Sequence, residues 1–187
     1  MTEENHGLEQ AKAQFASISE MVVALEVDYD RMEELKDEFL AAFNEQQVDE
    51  DGDSAHEALD VDDVLFKEWL AVSASDDLEE FNELLAAAGD CENQDAARDR
   101  IQEDPLSVEV RSGWYTPGDE PQAPEEFQIL LCTGGPAVRI RGELDENCRP
   151  DRAWLEYQDW GTSRSDHYVL GGQETLLTYC REFYFGG

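Results

Sequence analysis

Positive charge is what this 187-residue sequence has least of. Its 13 lysine and arginine residues face 46 aspartate and glutamate residues, which gives a formal net charge of −33. A protein that grips DNA, RNA or an anionic membrane without regard to sequence needs basic side chains to offset the charge of phosphate. We therefore expect no direct binding to nucleic acid or membrane. The expected partner is a basic surface.

Long apolar runs and paired cysteines are missing as well. No stretch approaches the roughly 20 apolar residues of a membrane span, and residues 1–10 lack the basic start and apolar centre of a signal peptide. These two absences predict a cytoplasmic location. The four cysteines form no C-x-x-C pair, and no zinc-ligand spacing occurs. We expect free thiols, no metal and no cofactor.

Catalytic motifs are the third absence. The sequence has no phosphate loop, nucleophile elbow or HExxH helix. Asp166 and His167 lie beside Ser163 and Ser165, but residues adjacent in sequence rarely converge into a nucleophilic set. With 46 carboxylates, acid pairs arise at any spacing by chance. We expect no catalytic residue and no enzymatic activity.

Helical periodicity dominates the first part of the chain. Apolar residues recur at steps of three and four from Leu8 to Phe43, which predicts one long helix, or two joined helices, packing along a single seam. The seam mixes Phe, Ala and Tyr, which favours an intramolecular bundle over a coiled-coil dimer. The oligomeric state, monomer or dimer, stays open. Further helices are predicted at residues 61–72, from residue 76 to Gly89, and at 94–103 before Pro105.

After Pro105 the pattern changes to strands. They are predicted at residues 107–115, 127–133, 137–144 and 153–160. Turn residues at 134–136 and 145–150 make these strands an antiparallel meander, and the amphipathic segment 174–185 predicts a helix that covers one face of the sheet. The predicted fold is α+β. Its predicted domains are an acidic helical region, residues 1–104, and a sheet with a C-terminal helix, residues 105–187.

The acids are concentrated in the helical region. Residues 1–104 carry a net charge of −26 and residues 105–187 carry −7. The densest stretch is 26–38, with seven acids against two bases. Formed as a helix, it would carry one acid per about 2.7 Å of axis, compared with one charge per about 1.7 Å of duplex DNA. This density predicts a surface that mimics nucleic acid.

The candidate partner-binding residues are the acids of this stretch, of the loop that follows it and of two later predicted helices. They are Glu26, Asp28, Asp30, Glu33, Glu34, Asp37, Glu38, Asp49, Glu50, Asp51, Asp53, Asp60, Asp62, Asp63, Asp76, Asp77, Glu79, Glu80 and Glu83.

Salt adaptation and calcium binding could each account for the acids without mimicry. Adaptation to high salt also favours acids over lysines, but it predicts an even spread over the whole surface. A calcium-binding regulatory module is suggested by Asp49, Asp51 and Asp53, which take alternate ligand positions of a calcium loop spanning 49–60. Its glycine, however, stands at position 4 rather than position 6 of that loop. We therefore expect no calcium site.

The second part of the chain contains a cluster of basic residues among aromatic ones. Interleaved basic and aromatic residues are typical of proteins that bind single-stranded nucleic acid. Acids are interspersed throughout this cluster, so we predict ion pairs across neighbouring strands instead. The basic residues are Arg139, Arg141, Arg149, Arg152 and Arg164.

The chain resembles small uncharacterised proteins of plasmids, phages and integrating elements in two segments, QILLCTGGPAVRIRGELDENCRPDRAWLEYQDWG and LLTYCREFYFG. Proteins of such elements that are this acidic are similar to DNA-mimic inhibitors of restriction or CRISPR systems. The resemblance implies a nucleic-acid-binding complex of host defence as the partner. It assigns no residue, because that class shares a charge distribution rather than a motif.

Overall fold

The structure, a computed structural model, describes residues 5–46, 76–119, 122–169 and 171–186. These residues form an α+β fold, as predicted. The helices are α1 (His6–Leu25), α2 (Tyr29–Gln46), α3 (Asp76–Ala88), α4 (Gln94–Glu103) and α5 (Gly172–Cys180). The strands are β1 (Ser107–Ser112), β2 (Pro124–Cys132), β3 (Ala137–Leu144), β4 (Pro150–Gln158) and β5 (Ser165–His167). Among the helices described, none is long and apolar enough to cross a membrane.

Contacts divide the chain into two compact units. The sheet unit combines Met1–Leu25 with Asp95–Gly187, and the acidic unit is Glu26–Gln94. In the described residues the change from helices to strands comes at β1, next to the predicted boundary at 104/105, but the contacts follow different boundaries. Helix α1 packs on β3, β4 and α5, while α2 packs on α3. The expected single seam along both helices is therefore replaced by two separate ones.

The break between α1 and α2 has a local cause at Asp28. Its side-chain Oδ1 accepts a hydrogen bond from the backbone N–H of Arg31 at 3.0 Å, which is the contact that an aspartate makes as a helix N-cap. The helix starts at Tyr29, so the acidic stretch 26–38 is helical from its fourth residue onward, and of the two alternatives left open by the sequence, one long helix or two joined helices, the second is found. Glu26 and Asp28 precede the helix, and both are exposed.

The sheet is an antiparallel meander in the order β1-β2-β3-β4-β5. Alternate residues of β2 and β3 are buried, and they form one apolar face. The buried apolar side chains of these two strands are Phe127, Ile129, Leu131, Val138 and Ile140. Helices α1 and α5 pack against β4, and α1 also packs on β3. The predicted role of the C-terminal helix, covering one face of the sheet, is confirmed.

Gly142 lets the centre of this core close. A Cβ atom at this position would overlap the Phe127 ring and the carbonyl oxygen of Arg152. The Phe127 ring in turn packs on Phe185, with 4.6 Å between the ring centroids. A glycine inside a strand is typical of such close approach.

Most predicted elements are present with shifted ends. Strand β3 matches its prediction, whereas β2 and β4 each begin three residues earlier than expected. Strand β1 ends at Ser112 and α5 ends at Cys180, both short of the predicted ends. The three residues of β5 are too few to show an alternating pattern, and no strand was predicted there. The predicted helix at 61–72 and the calcium-like loop at 49–60 lie outside the described residues.

Tyr179 links α5 to the residue that follows α4. Its side chain is fully buried, and its hydroxyl donates a hydrogen bond to Asp104 Oδ2 at 2.7 Å. Burial, together with this hydrogen bond, raises the pKa of Tyr179 well above its ordinary value. The phenol therefore stays a neutral donor throughout the physiological pH range.

We expect Tyr179→Phe to lower the free energy of unfolding by about 1–3 kcal/mol, because a buried hydrogen bond to a carboxylate is lost. Urea denaturation followed by circular dichroism measures the change. Tyr115→Phe is the control, since this tyrosine is exposed and the same hydroxyl is removed. Equal midpoints for the Tyr179 variant and the wild type would contradict this role.

Candidate functional site

Helix α2 is apolar on the side that packs against α3. Leu35 and Phe43 are buried, and the Phe39 ring lies 5.6 Å from the Phe81 ring of α3. Positions 35, 39 and 43 are four residues apart, so they lie on one helix face. Phe81 is itself buried. These contacts fix which side of α2 is turned away from α3.

The opposite face of α2 carries a continuous row of carboxylates. The five acids follow the spacing i, i+3, i+4, i+7 and i+8, which places them on one face of a helix. We call this row the α2 stripe, and all of its members are exposed. They are Asp30, Glu33, Glu34, Asp37 and Glu38.

The axial spacing of the α2 stripe is close to that of phosphates along a DNA strand. From Asp30 to Glu38 the helix rises about 12 Å, which gives an acid about every 3 Å. One strand of duplex DNA carries a phosphate about every 3.4 Å along the axis. The stripe therefore resembles one strand in its charge spacing, although its acids follow a nearly straight line.

Helix α3 adds a second group of acids. The described acidic side chains of α3 are all exposed, and they are Asp77, Glu79, Glu80 and Glu83. Asp76 begins the helix, but its side chain is outside the described part. Gly89, with φ +60°, follows the helix, and its N–H donates to the Leu85 carbonyl at 3.1 Å. The predicted glycine end of this helix is confirmed.

Arg31 connects the two groups of acids. Its Nε and Nη2 atoms donate to the two carboxylate oxygens of Glu80, at 3.2 and 3.0 Å, and its Nη1 atom lies 3.6 Å from Glu34. The hydrogen bond from Arg31 holds the pKa of Glu80 below its usual value. The charge of Glu80 is therefore matched locally, whereas Glu33, Asp37 and Glu38 have no ion pair to any described residue.

The predicted site residues fall into three groups. Eleven of them have exposed side chains: Glu26 and Asp28 before α2, the five acids of the α2 stripe, and four acids on α3. Asp76 is the first residue of α3, and its side chain lies outside the described part of the structure. The other seven predicted residues lie outside the described part of the chain, and they are Asp49, Glu50, Asp51, Asp53, Asp60, Asp62 and Asp63.

The contact units keep the charge asymmetry that the sequence suggested. The acidic unit has 24 acids and 3 bases in its 69 residues, a net charge of −21. The sheet unit has 22 acids and 10 bases in its 118 residues, a net charge of −12. Per residue, the acidic unit is about three times as negative. The division at 104/105 gives about the same threefold ratio per residue, although it groups α1 and α4 with the acidic helices.

Three of the five clustered arginines, Arg139, Arg141 and Arg152, pair with acids on neighbouring strands as predicted, whereas no ion pair joins Arg149 or Arg164 to another described residue. On the polar face of the sheet, Arg139 pairs with Glu156 at 2.6 Å, and Arg152 pairs with Glu143 at 3.2 Å. Glu126 accepts hydrogen bonds from Arg111 on β1 and Arg141 on β3. Arg111, with a contribution from Arg141, holds the pKa of Glu126 below its usual value.

A cleft of about 870 Å³ lies in the sheet unit beside β4, β5 and the start of α5. Its lining includes Phe15, Trp154, Asp166, His167 and Tyr168. Neither Ser163 nor Ser165 is among the residues that line the cleft. Asp166 instead accepts a hydrogen bond from the Tyr168 hydroxyl at 2.7 Å. The cleft does not assemble the Ser–His–Asp set considered from the sequence.

The four cysteines are free thiols, as predicted; Cys91 and Cys180 are buried, and Cys132 and Cys148 are partly buried. Across the described ranges, no group of three or more His, Cys, Asp or Glu side chains is placed to hold a metal ion. Comparison of the chain with protein-family models, curated proteins and solved structures found no match.

We expect Arg31→Gln to raise the pKa of Glu80 towards its ordinary value, because the hydrogen bonds that favour the carboxylate are removed. A folded-state pKa below the unfolded value stabilises the protein above the unfolded pKa, and this contribution is lost as pH falls through the folded pKa. The stability difference between wild type and variant should therefore be present at neutral pH and disappear in acid.

Carbon-detected NMR titration of the Glu80 carboxylate measures the shift directly. Arg98→Gln is the matched control, since Arg98 pairs with Asp95 and Glu182 in the sheet unit. A Glu80 titration that is the same in the wild type and the Arg31 variant would contradict the pairing.

Proposed function

We propose that this protein is a non-enzymatic inhibitor that mimics DNA and occupies the nucleic-acid-binding surface of a host defence complex, either a CRISPR effector or a restriction enzyme. The observation that carries the proposal is the α2 stripe. It presents five exposed carboxylates at about 3 Å intervals along one helix face, close to the phosphate spacing of one DNA strand.

A channel that binds DNA presents arginine and lysine side chains to the phosphates. Arginine binds carboxylates and phosphates alike through two parallel N–H donors, so a row of carboxylates at phosphate spacing can engage the same side chains. Packing of α2 on α3, with the Phe39 ring against Phe81 and with Leu35 and Phe43 buried, holds the helix that carries the row. A pre-organised row loses less conformational entropy on binding than a flexible acidic tail would.

The cost of the α2 stripe to the fold supports a functional origin. Asp30 and Glu34, Glu33 and Asp37, and Glu34 and Glu38 are like-charge pairs four residues apart, and each such pair opposes helix formation by about 0.2–0.5 kcal/mol. Lysine at alternate positions would convert this repulsion into attraction. The uniform sign leaves Glu33, Asp37 and Glu38 without an ion pair among the described residues, but it suits a basic partner.

The uneven charge also favours mimicry over adaptation to high salt. Salt adaptation should cover both contact units with acid to a similar degree. Instead the acidic unit carries −21 in 69 residues and the sheet unit −12 in 118. Most of the net charge therefore lies in the smaller unit, as expected for a directed interaction surface.

The decisive variant replaces Glu33, Glu34 and Glu38 with Gln and Asp37 with Asn. It removes four charges from the α2 stripe and keeps the size of each side chain. The matched control removes four exposed acids of the sheet unit, by changing Glu20, Glu103 and Glu146 to Gln and Asp99 to Asn. Immobilised wild type and both variants are used to capture proteins from host lysate, and captured proteins are identified by mass spectrometry.

We expect the wild type and the control to capture a DNA-binding defence complex that the α2-stripe variant binds at least tenfold more weakly. The purified complex is then tested for competition between the wild type and labelled DNA. Displacement should be competitive and should fall steeply as salt increases, with a smaller salt dependence for the α2-stripe variant, because fewer of the partner's cations are engaged. Full binding by the α2-stripe variant, or binding that leaves DNA in place, would rule out mimicry by this surface.

A further inference from the structure

Strand β1 leaves one side of the sheet open. In the described part of the chain the sheet order begins with β1, whose one neighbouring strand is β2. An edge strand of this kind presents unpaired backbone N–H and C=O groups, which can pair with another strand.

The apolar face of the sheet continues onto β1 and becomes exposed there. Val108 pairs with Ile129, and Val110 pairs with Phe127, so both valines project from the face that carries the buried core. Yet Val108 is 37% exposed and Val110 is 47% exposed. An uncovered continuation of a core face on an edge strand is suited to contact with another protein surface.

The other face of β1 carries one charge of each sign. Glu109 accepts a hydrogen bond from Gln128 at 2.5 Å, and Arg111 donates to Glu126 at 2.6 Å. The Arg111 side chain remains 70% exposed. Hydrogen bonds to β2 therefore hold both side chains in position, and part of each side chain stays accessible at the edge of the sheet.

We propose that β1 pairs antiparallel with β1 of a second copy of this chain, around a two-fold axis at Val110. In this register Glu109 of each copy lies opposite Arg111 of the other, and the two Val110 side chains face each other. The pairing is isologous, so one sequence satisfies both sides. The two sheets join into one, and the association is independent of the proposed DNA mimicry.

Charge selects this register among its neighbours. In an alternative register the two valines must still project from the apolar face of the joined sheet. The nearest registers that allow this move the two-fold axis by one residue, to Glu109 or to Arg111, and so slide the two strands past each other by two residues. A centre at Glu109 sets two acids against each other, and a centre at Arg111 sets two arginines against each other. Like charges directly opposite destabilise a strand pair, whereas opposite charges stabilise it.

The same register matches exposed apolar residues beyond the strand ends. Leu106, 61% exposed, and the fully exposed Trp114 both lie an even number of residues from Val110. If the pairing continues past β1, each Leu106 lies opposite Trp114 of the second copy. Charged residues usually protect an edge strand from self-association, but opposite charges two residues apart favour it in this arrangement.

The test uses charge reversal in the full chain, with Glu109→Arg and Arg111→Glu made separately. Each variant sets two like charges against each other twice in the homodimer, so we expect dimerisation to weaken about tenfold or more. In a 1:1 mixture the two variants restore two opposite-charge pairs, and a heterodimer should form. Analytical ultracentrifugation at about 0.15 M salt, where the Debye length is about 8 Å, limits the general repulsion between acidic copies.

Two further variants keep the test decisive. Val110→Lys sets two cations together at the axis and should also weaken dimerisation, without touching the Glu126 ion pair. Arg152→Glu is the matched control, because Arg152 lies on β4 and is also exposed and ion-paired; it should leave dimerisation unchanged. Circular dichroism of each variant checks its fold. A wild type that stays monomeric at all concentrations, or a dimer that survives both charge reversals, would overturn the proposal.

Discussion

The scarcity of cations is the constraint on which the rest of this structure depends. Thirteen basic residues serve 46 acids, so most carboxylates have no ion-pair partner available to them. The fold places Arg111, Arg139, Arg141 and Arg152 across the strands of the sheet, where each meets an acid on a neighbouring strand. The acidic unit receives three bases, so its surface acids repel one another, and the apolar contacts between α2 and α3 oppose that repulsion.

Local patterns in the sequence were sufficient for much of the fold. Strand β3 was predicted with correct ends because alternating residues such as Val138 and Ile140 lie between clear turns. Helix α4 was predicted because Pro105 stops it. Two joined helices were among the alternatives, but the position of the break at Asp28 was not predicted, since an aspartate within an acidic run has the same composition whether it caps a helix or continues one. Only the hydrogen bond to Arg31 distinguishes the two cases.

Long-range contacts account for the remaining differences. The seam of α1 satisfies the same periodicity whether it packs on a helix or on a sheet, so the sequence could not assign α1 to β3, β4 and α5. For the candidate site, the spacing of acids on α2 was readable in advance. The pairing of Arg31 with Glu80 was not, because those residues are 49 positions apart and many other acids were available as partners.

The acidic unit lies within the sequence of the sheet unit, between Met1–Leu25 and Asp95–Gly187. During synthesis the whole acidic segment leaves the ribosome before the strands that α1 packs on have been made. Helix α1 cannot pack until β3 and β4 have been made, whereas α2 and α3 can already pack against each other. Because domains fold as units in the order of synthesis, the acidic unit is the first part of the chain that can complete its own contacts. Its fold therefore has to tolerate its own charge before the sheet exists.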